Sequence, residues 1–208
     1  MLVMNSGLRN LPMEKEAGHH RPYLVALYKA GQRIYSEGEL SGALYRVVSG
    51  MVRLGIILSD GRRQIVSFHL SGEMFGFEAG AKRGLFAEAV GDATISKSSP
   101  VEGSLTSEML TKIVTLELNR RQNHVISLGR RTAWEKIALF LRDLISRQPR
   151  GQSLELPMSR ADMADYLGLT VETVSRVLGS MKKSGLVRFD TARKIIVMKP
   201  EVLALCCD

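Results

Sequence analysis

Cysteine is nearly missing from these 208 residues: the only two, Cys206 and Cys207, are adjacent at the extreme C-terminus. They cannot build a disulfide framework, and no CxxC or Cys/His spacing suggests a zinc site. No apolar run approaches the roughly 20 residues that a membrane span requires. The N-terminus, Met1 to His20, has no basic start followed by an apolar stretch, so it does not read as a signal peptide. No nucleophile–base set, metal cluster or phosphate-cradling loop is visible, which argues against an enzyme. The expectation is a cytoplasmic, non-catalytic chain with no membrane partner and no metal.

What is present is positive charge, unevenly placed. The net charge is +8; residues 1–20 sum to zero and residues 21–119 to +1. Residues 120–208 carry 16 Lys or Arg against 9 Asp or Glu, a balance of +7. A polyanionic partner for the C-terminal part, or simply a soluble domain with a basic surface, accounts for that excess.

Residues 1–20 lack periodicity and read as a mobile arm. From about Tyr28 to Ser98 the pattern is β. Residues 44–48, 51–58 and 64–70 read as strands, with shorter ones near 74–75, 86–90 and 94–97. Asp60-Gly61 marks a hairpin turn, and glycine punctuation throughout suggests an antiparallel barrel or roll over 21–103. From Ser104 to Arg147 there is no proline, and Gly129 is the only glycine. Leu110, Ile113, Leu116, Val125 and Leu128 recur at helical spacing, followed by Trp134, Ile137, Ala138, Leu141 and Leu144. This predicts a long helix over 104–130 and a shorter one after it. A long amphipathic helix between domains either pairs with its twin or packs within one chain; the expectation is dimerisation.

The most informative stretch, residues 158–183, reads MSRADMADYLGLTVETVSRVLGSMKK. Ser159 can cap one helix and Thr170 a second, with Thr173 in its first turn. Gly168 suits the left-handed backbone between them. A small residue, Ala164, then Gly168, then Val174 is the spacing of a helix-turn-helix. The second helix puts Glu172, Ser175 and Arg176 on one polar face. Arg reads guanine bidentately, Glu accepts from cytosine N4, and Ser bonds either kind of edge; a solvated, salt-bridged face is the alternative. Ser159, Thr170 and Thr173 suit phosphates. Lys182 and Lys183 extend those contacts or form a solvated helix end. Residues 186–189 and 194–198 make a hairpin wing, completing an α+β chain whose winged helix-turn-helix spans 131–208.

In this order of elements the chain resembles the CRP/FNR superfamily over residues 22–205. Glu172-x-x-Ser175-Arg176 looks like its FNR and FixK branch. The resemblance implies a cyclic-nucleotide-binding-like β-roll, a long dimerisation helix and double-stranded DNA as partner. It implies a homodimer on an inverted repeat, TTGAT-N4-ATCAA. Arg176 would read its guanine, Glu172 the opposing strand, and Ser175 a thymine or neighbouring base. It also implies an activator that contacts RNA polymerase and serves microaerobic, respiratory or nitrogen-fixation genes. By position, the turn of Asp60, Gly61, Arg62 and Arg63 and the loop holding Arg150 and Gly151 are the polymerase surfaces, or ordinary exposed loops. Departures bear on the input signal. Oxygen sensors of the family need an N-terminal cysteine cluster, and this chain has no cysteine before Cys206. Cyclic-nucleotide binders need an Arg-Ser pair in the roll, where this chain reads Lys82-Arg83-Gly84. No cofactor is therefore expected. The alternative is a redox-sensing regulator of the same superfamily, using haem held by His69 or His124, or the thiols of Cys206 and Cys207.

Overall fold

The computed structural model describes residues 24–78, 80–98, 106–129, 132–148, 156–191 and 194–198. Eight strands precede the helices: β1 (Leu24–Tyr28), β2 (Arg33–Tyr35), β3 (Leu44–Ser49), β4 (Met51–Ile57), β5 (Arg63–Leu70), β6 (Met74–Phe75), β7 (Phe86–Ala89) and β8 (Ala93–Ser98). They form two antiparallel four-stranded sheets, ordered β1-β8-β3-β6 and β2-β7-β4-β5. Tyr35, Tyr45, Val47, Val52, Leu54, Phe75 and Ile95 fill the space between them. Alternation along β3 and β4 supplies this core, because successive side chains point to opposite faces. The β4–β5 register shifts between Leu54 and Gly55. A Cβ on Gly55 would lie 2.7 Å from both the Gln64 carbonyl oxygen and Phe86 Cζ, so the ring packs there only because no side chain does. The expected Asp60-Gly61 turn is a longer loop: β4 and β5 last pair at Ile57 and Arg63, and the Leu58 amide donates to the Arg62 carbonyl at 2.8 Å.

Four helices follow. Helix α1 (Ser107–Leu128) is capped by Thr106, and α2 (Ala133–Ser146) by a Thr132/Glu135 capping box. Then come α3 (Arg160–Leu167), α4 (Val171–Lys183) and the two-stranded wing, β9 (Val187–Thr191) with β10 (Lys194–Val197). None of the described helices is long and apolar enough to cross a membrane. A second core joins Ile137, Leu141 and Leu144 of α2 to Met163 and Leu167 of α3 and Val174, Leu178 and Met181 of α4. It continues into the roll through Ile65, Phe68 and Leu70 of β5. Helices α2, α3 and α4 thus share this core with one face of the roll.

Helix α1 behaves differently. Ser127 is its only buried residue among those described. Val114, Leu118 and Val125 stand 50%, 54% and 67% exposed. They belong to a row at alternating spacings of four and three, residues 114, 118, 121, 125 and 128, which is the seam pattern of a two-stranded coiled coil. Sequence periodicity picked out Val125 and Leu128 but not Val114 or Leu118.

Candidate nucleic-acid interface

Local chemistry fixes the helix-turn-helix. Ser159 Oγ accepts from the Asp162 amide at 3.1 Å, and Asp162 Oδ2 accepts from the Ser159 amide at 3.0 Å. This reciprocal pair starts α3 by satisfying two otherwise unpaired N–H groups. Gly168 ends the helix at φ 62°, ψ 43°, a left-handed conformation disfavoured by any Cβ. Thr170 Oγ1 accepts from the Thr173 amide at 3.2 Å and starts α4. Buried Val174, Leu178 and Met181, spaced four and three apart, turn one face of α4 inward.

The opposite face is open. Glu172 and Arg176 are exposed, and neither forms a hydrogen bond or ion pair with any described residue. Ser175 is half-buried, and its Oγ accepts from Arg160 Nη1 at 3.2 Å. The structure therefore groups the three expected base readers on one outward face. The phosphate candidates lie beside it: the hydroxyls of exposed Thr170 and half-buried Thr173 share a hydrogen bond at 3.1 Å. Ser159 accepts within its capping box and keeps its own proton. Lys182 and Lys183 are exposed, and Lys182 Nζ lies 5.9 Å from the Phe189 ring of the wing. Arg160 lies at the same distance from that ring. Arg188 of the wing is exposed as well, so the open side is cationic.

The acidic residues of α3 face the roll instead. Asp162 Oδ1 accepts from Arg53 Nη1 and from Arg63 Nη2, each at 2.7 Å. Arg63 Nε also donates to Asp165 at 2.8 Å, and Gln64 Nε2 donates to the Asp165 carbonyl at 2.5 Å. Arg53 is bonded in turn to Glu88, its cross-strand neighbour on β7. This chain of charges fixes α3 against β4 and β5. Arg63, expected in the turn offered to RNA polymerase, is the first residue of β5, and its guanidinium is engaged by α3. Asp60, Gly61 and Arg62 do form an exposed loop, where Arg62 Nε donates to Asp60 at 2.7 Å. Those backbone and side-chain bonds from Arg62 hold the Asp60 carboxyl below its usual range. Arg150, Gly151, Cys206 and Cys207 lie outside the described residues.

A second tie runs through Glu73, in the turn between β5 and β6. It takes Arg147 Nη2 at 2.6 Å from the end of α2 and Arg120 Nη2 at 2.8 Å from α1. Burial opposes ionisation of Glu73, but the two guanidiniums outweigh it and its pKa is lowered. Neither tie was foreseen. The only local hint was Asp162 three residues after Ser159, which marks a cap and says nothing about a partner on another element. Arg160 was also missed, although a cation in the first turn of a helix opposes the dipole and so signals some other demand.

Beside α1 the roll holds a cavity of about 220 Å³, lined by Leu54, His69, Phe75, Glu78, Val114 and Arg121 among others. Arg83 is buried next to it. Its Nη1 donates to the Gly76 carbonyl at 2.7 Å and its Nη2 to the Ala43 carbonyl at 2.6 Å, while the guanidinium lies 4.4 Å from the Tyr35 ring. Glu78 accepts from the Gly84 amide and faces Arg83. His69 is fully buried, packs on Phe75 and bonds Ser67; burial lowers its pKa to about 4, so it is neutral near pH 7. His124 stacks on Tyr166 at 3.9 Å. No cluster of three or more His, Cys, Asp or Glu that could hold a metal occurs among the described residues.

Two family profiles match the chain: "Crp-like helix-turn-helix domain" over residues 135–206 and "Cyclic nucleotide-binding domain" over residues 26–97. The residues of the roll fit a cyclic nucleotide poorly: Arg83 Nη1 and Nη2 are engaged by the Gly76 and Ala43 carbonyls and the Gly84 amide by Glu78, and the cavity wall carries Glu78 and Glu117 against Arg121. The chain is 49% identical to the nitrogen fixation regulation protein FixK of Rhizobium meliloti over 187 residues, 90% of this chain and 89% of that one. It is 35% identical to the protein of the same name in Bradyrhizobium diazoefficiens over 76% of this chain and 71% of the relative. The structure of FixK2 from Bradyrhizobium japonicum superposes with a TM-score of 0.81 at 37% identity, covering 88% of this chain and 96% of that one. With a helix-turn-helix whose reading face is open, a β-roll in front of it and this degree of identity over nearly the whole length, the chain belongs to the CRP/FNR superfamily of DNA-binding transcription regulators, in its FixK branch.

Proposed function

We propose that the chain is a homodimeric activator that binds TTGAT-N4-ATCAA without cyclic nucleotide, iron–sulfur cluster or haem. It acts in the cytoplasm on respiratory, microaerobic or nitrogen-fixation genes. The observation that carries this reading is the face of α4: Glu172 and Arg176 are exposed and without a partner among the described residues, beside Ser175. Arg176 takes guanine O6 and N7, Glu172 accepts from a base amino group on the opposing strand, and Ser175 bonds the neighbouring edge. Ser159, Thr170, Thr173, Lys182 and Lys183 hold phosphates. Pairing of α1 along Val114, Leu118 and Val125 removes that apolar row from water. It also sets two recognition helices about one DNA turn apart. The loop of Asp60, Gly61 and Arg62 is the surface offered to RNA polymerase. Similarity to the FixK regulators supports the operator and the gene class.

The direct test is fluorescence anisotropy of the full chain with a TTGAT-N4-ATCAA duplex and a scrambled duplex, with no effector added, in air and under reductant. Tight, specific binding in both conditions is expected, falling steeply with salt as counterions are released. Binding only under reductant would instead make Cys206 and Cys207 a switch. Equal binding to both duplexes would reject the operator.

A further inference from the structure

Ser175 is the most ambiguous of the three base-facing side chains, because a hydroxyl donates one hydrogen bond and accepts two. Unassisted, it bonds to acceptor edges such as thymine O4 or guanine O6, and equally to donor edges such as cytosine N4. In this chain the ambiguity is resolved from another helix. Arg160 Nη1 donates to Ser175 Oγ across fifteen residues of sequence, at 3.2 Å.

We propose that Arg160, at the first position of α3, is a specificity-determining residue: by occupying one lone pair of Ser175 it biases the hydroxyl towards donating, and so towards base edges carrying an acceptor. This deepens the reading of α4 as the base-reading helix and rests on it.

Several observations carry the inference. A guanidinium at one lone pair of Ser175 leaves the hydroxyl proton as its outward group. It also polarises that O–H and repels an approaching base N–H. The proton has no acceptor among the described residues. Other helical hydroxyls here bond back along their own helix, as Thr111 does to the Ser107 carbonyl at 2.8 Å and Ser184 to the Ser180 carbonyl at 3.2 Å. Ser175 makes no such bond. The Arg160 guanidinium also lies 5.9 Å from the Phe189 ring of the wing. It therefore links the start of α3, the face of α4 and the wing. Its location is unfavourable by local rules, since the N-terminus of a helix repels a cation. The acids of α3 do not compensate: Asp162 and Asp165 are bound to Arg53 and Arg63 of the roll.

The test uses the full chain and a duplex library in which each half-site position carries all four bases, with bound fractions sequenced at two salt concentrations. Ser175→Ala identifies the position it reads, as the one whose thymine- or guanine-over-cytosine preference collapses. Arg160→Ala is expected to lower that same preference at least threefold, leaving the preference that depends on Arg176 intact. In the Ser175→Ala background, Arg160→Ala should add less than twofold at that position. Arg160→Lys, which keeps the charge without the planar fork, is expected to lose part of the preference. A purely phosphate-binding Arg160 would weaken all sequences alike and change only the salt slope, and that result overturns the proposal. So does a Ser175→Ala protein with unchanged preferences. A wild-type protein with no preference at any position would overturn the reading of α4 itself, a failure visible before any variant is made.

Discussion

Replacing Arg53 by leucine leaves two poorly hydrated carboxylates without their shared cation. The Arg53 side chain is 11% exposed, that of Glu88 13% and that of Asp162 4%. Removing one partner of a buried ion pair typically costs about 3–5 kcal/mol, because the remaining charge stays desolvated. Here the loss is moderated. Asp162 keeps Arg63 at 2.7 Å, whereas Glu88 keeps only Arg33, at 3.9 Å and 44% exposed. A destabilisation of roughly 2–4 kcal/mol is expected for Arg53→Leu. Arg33→Leu, acting on an exposed and distant pair, should cost less than about 1 kcal/mol. Trp134, the only tryptophan, lies in α2 against the second core, so its fluorescence in a urea titration reports the unfolding. Adding Glu88→Leu to Arg53→Leu should recover part of the loss, since an apolar replacement of a whole pair is nearly neutral. If Arg53→Leu and Arg33→Leu differ by less than roughly 0.5 kcal/mol, the claim that buried charge fixes α3 to the roll is wrong.

Three further outcomes follow from other parts of the molecule. The His69 imidazole is held neutral by burial, with its pKa lowered from 6.5 to about 4. The unfolded chain binds that proton below pH 6.5 while the folded chain does not until about pH 4, so this stability is complete above pH 6.5 and lost as pH falls. Urea titrations should show the wild type losing on the order of 3 kcal/mol more than His69→Gln across that window. Gly55→Ala places a methyl group 2.7 Å from the Phe86 ring and the Gln64 carbonyl oxygen. Thermal unfolding should register a loss of about 1–3 kcal/mol from that overpacking. Leu118→Glu puts a charge into the exposed row of α1; sedimentation should find monomer, and operator affinity should fall with it.

The helix-turn-helix was legible in the sequence because its determinants are local. Ser159, Gly168 and Thr170 each act on backbone within a few residues, and Val174 and Leu178 repeat with the helical period. The roll was legible as a class and less so in detail. The sequence pattern of strands begins near Tyr28, yet β1 starts at Leu24. Leu24, Val25 and Leu27 are exposed while Ala26 and Tyr28 turn inward, but all five residues lack charge and the outward ones are apolar, so no polar–apolar alternation marks that strand in the sequence. The contacts that orient the DNA-binding part could not be read at all. Arg53 and Asp162 are 109 residues apart, and Arg147 and Glu73 are 74 apart. No periodicity relates such pairs; only the packed fold brings them together. Arg63 was assigned by its place in a hairpin turn, but it is the first residue of β5 and its side chain crosses to α3.

The central claim is that Arg176 reads the half-site guanine. Anisotropy titrations of wild type and Arg176→Ala against TTGAT-N4-ATCAA, and against a duplex with both guanines replaced by adenine, measure it directly. The wild type should lose about 1–3 kcal/mol per half-site on the replaced duplex. Arg176→Ala should bind the two duplexes alike. An Arg176→Ala protein that still discriminates as fully as the wild type would contradict the assignment of α4 as the reader.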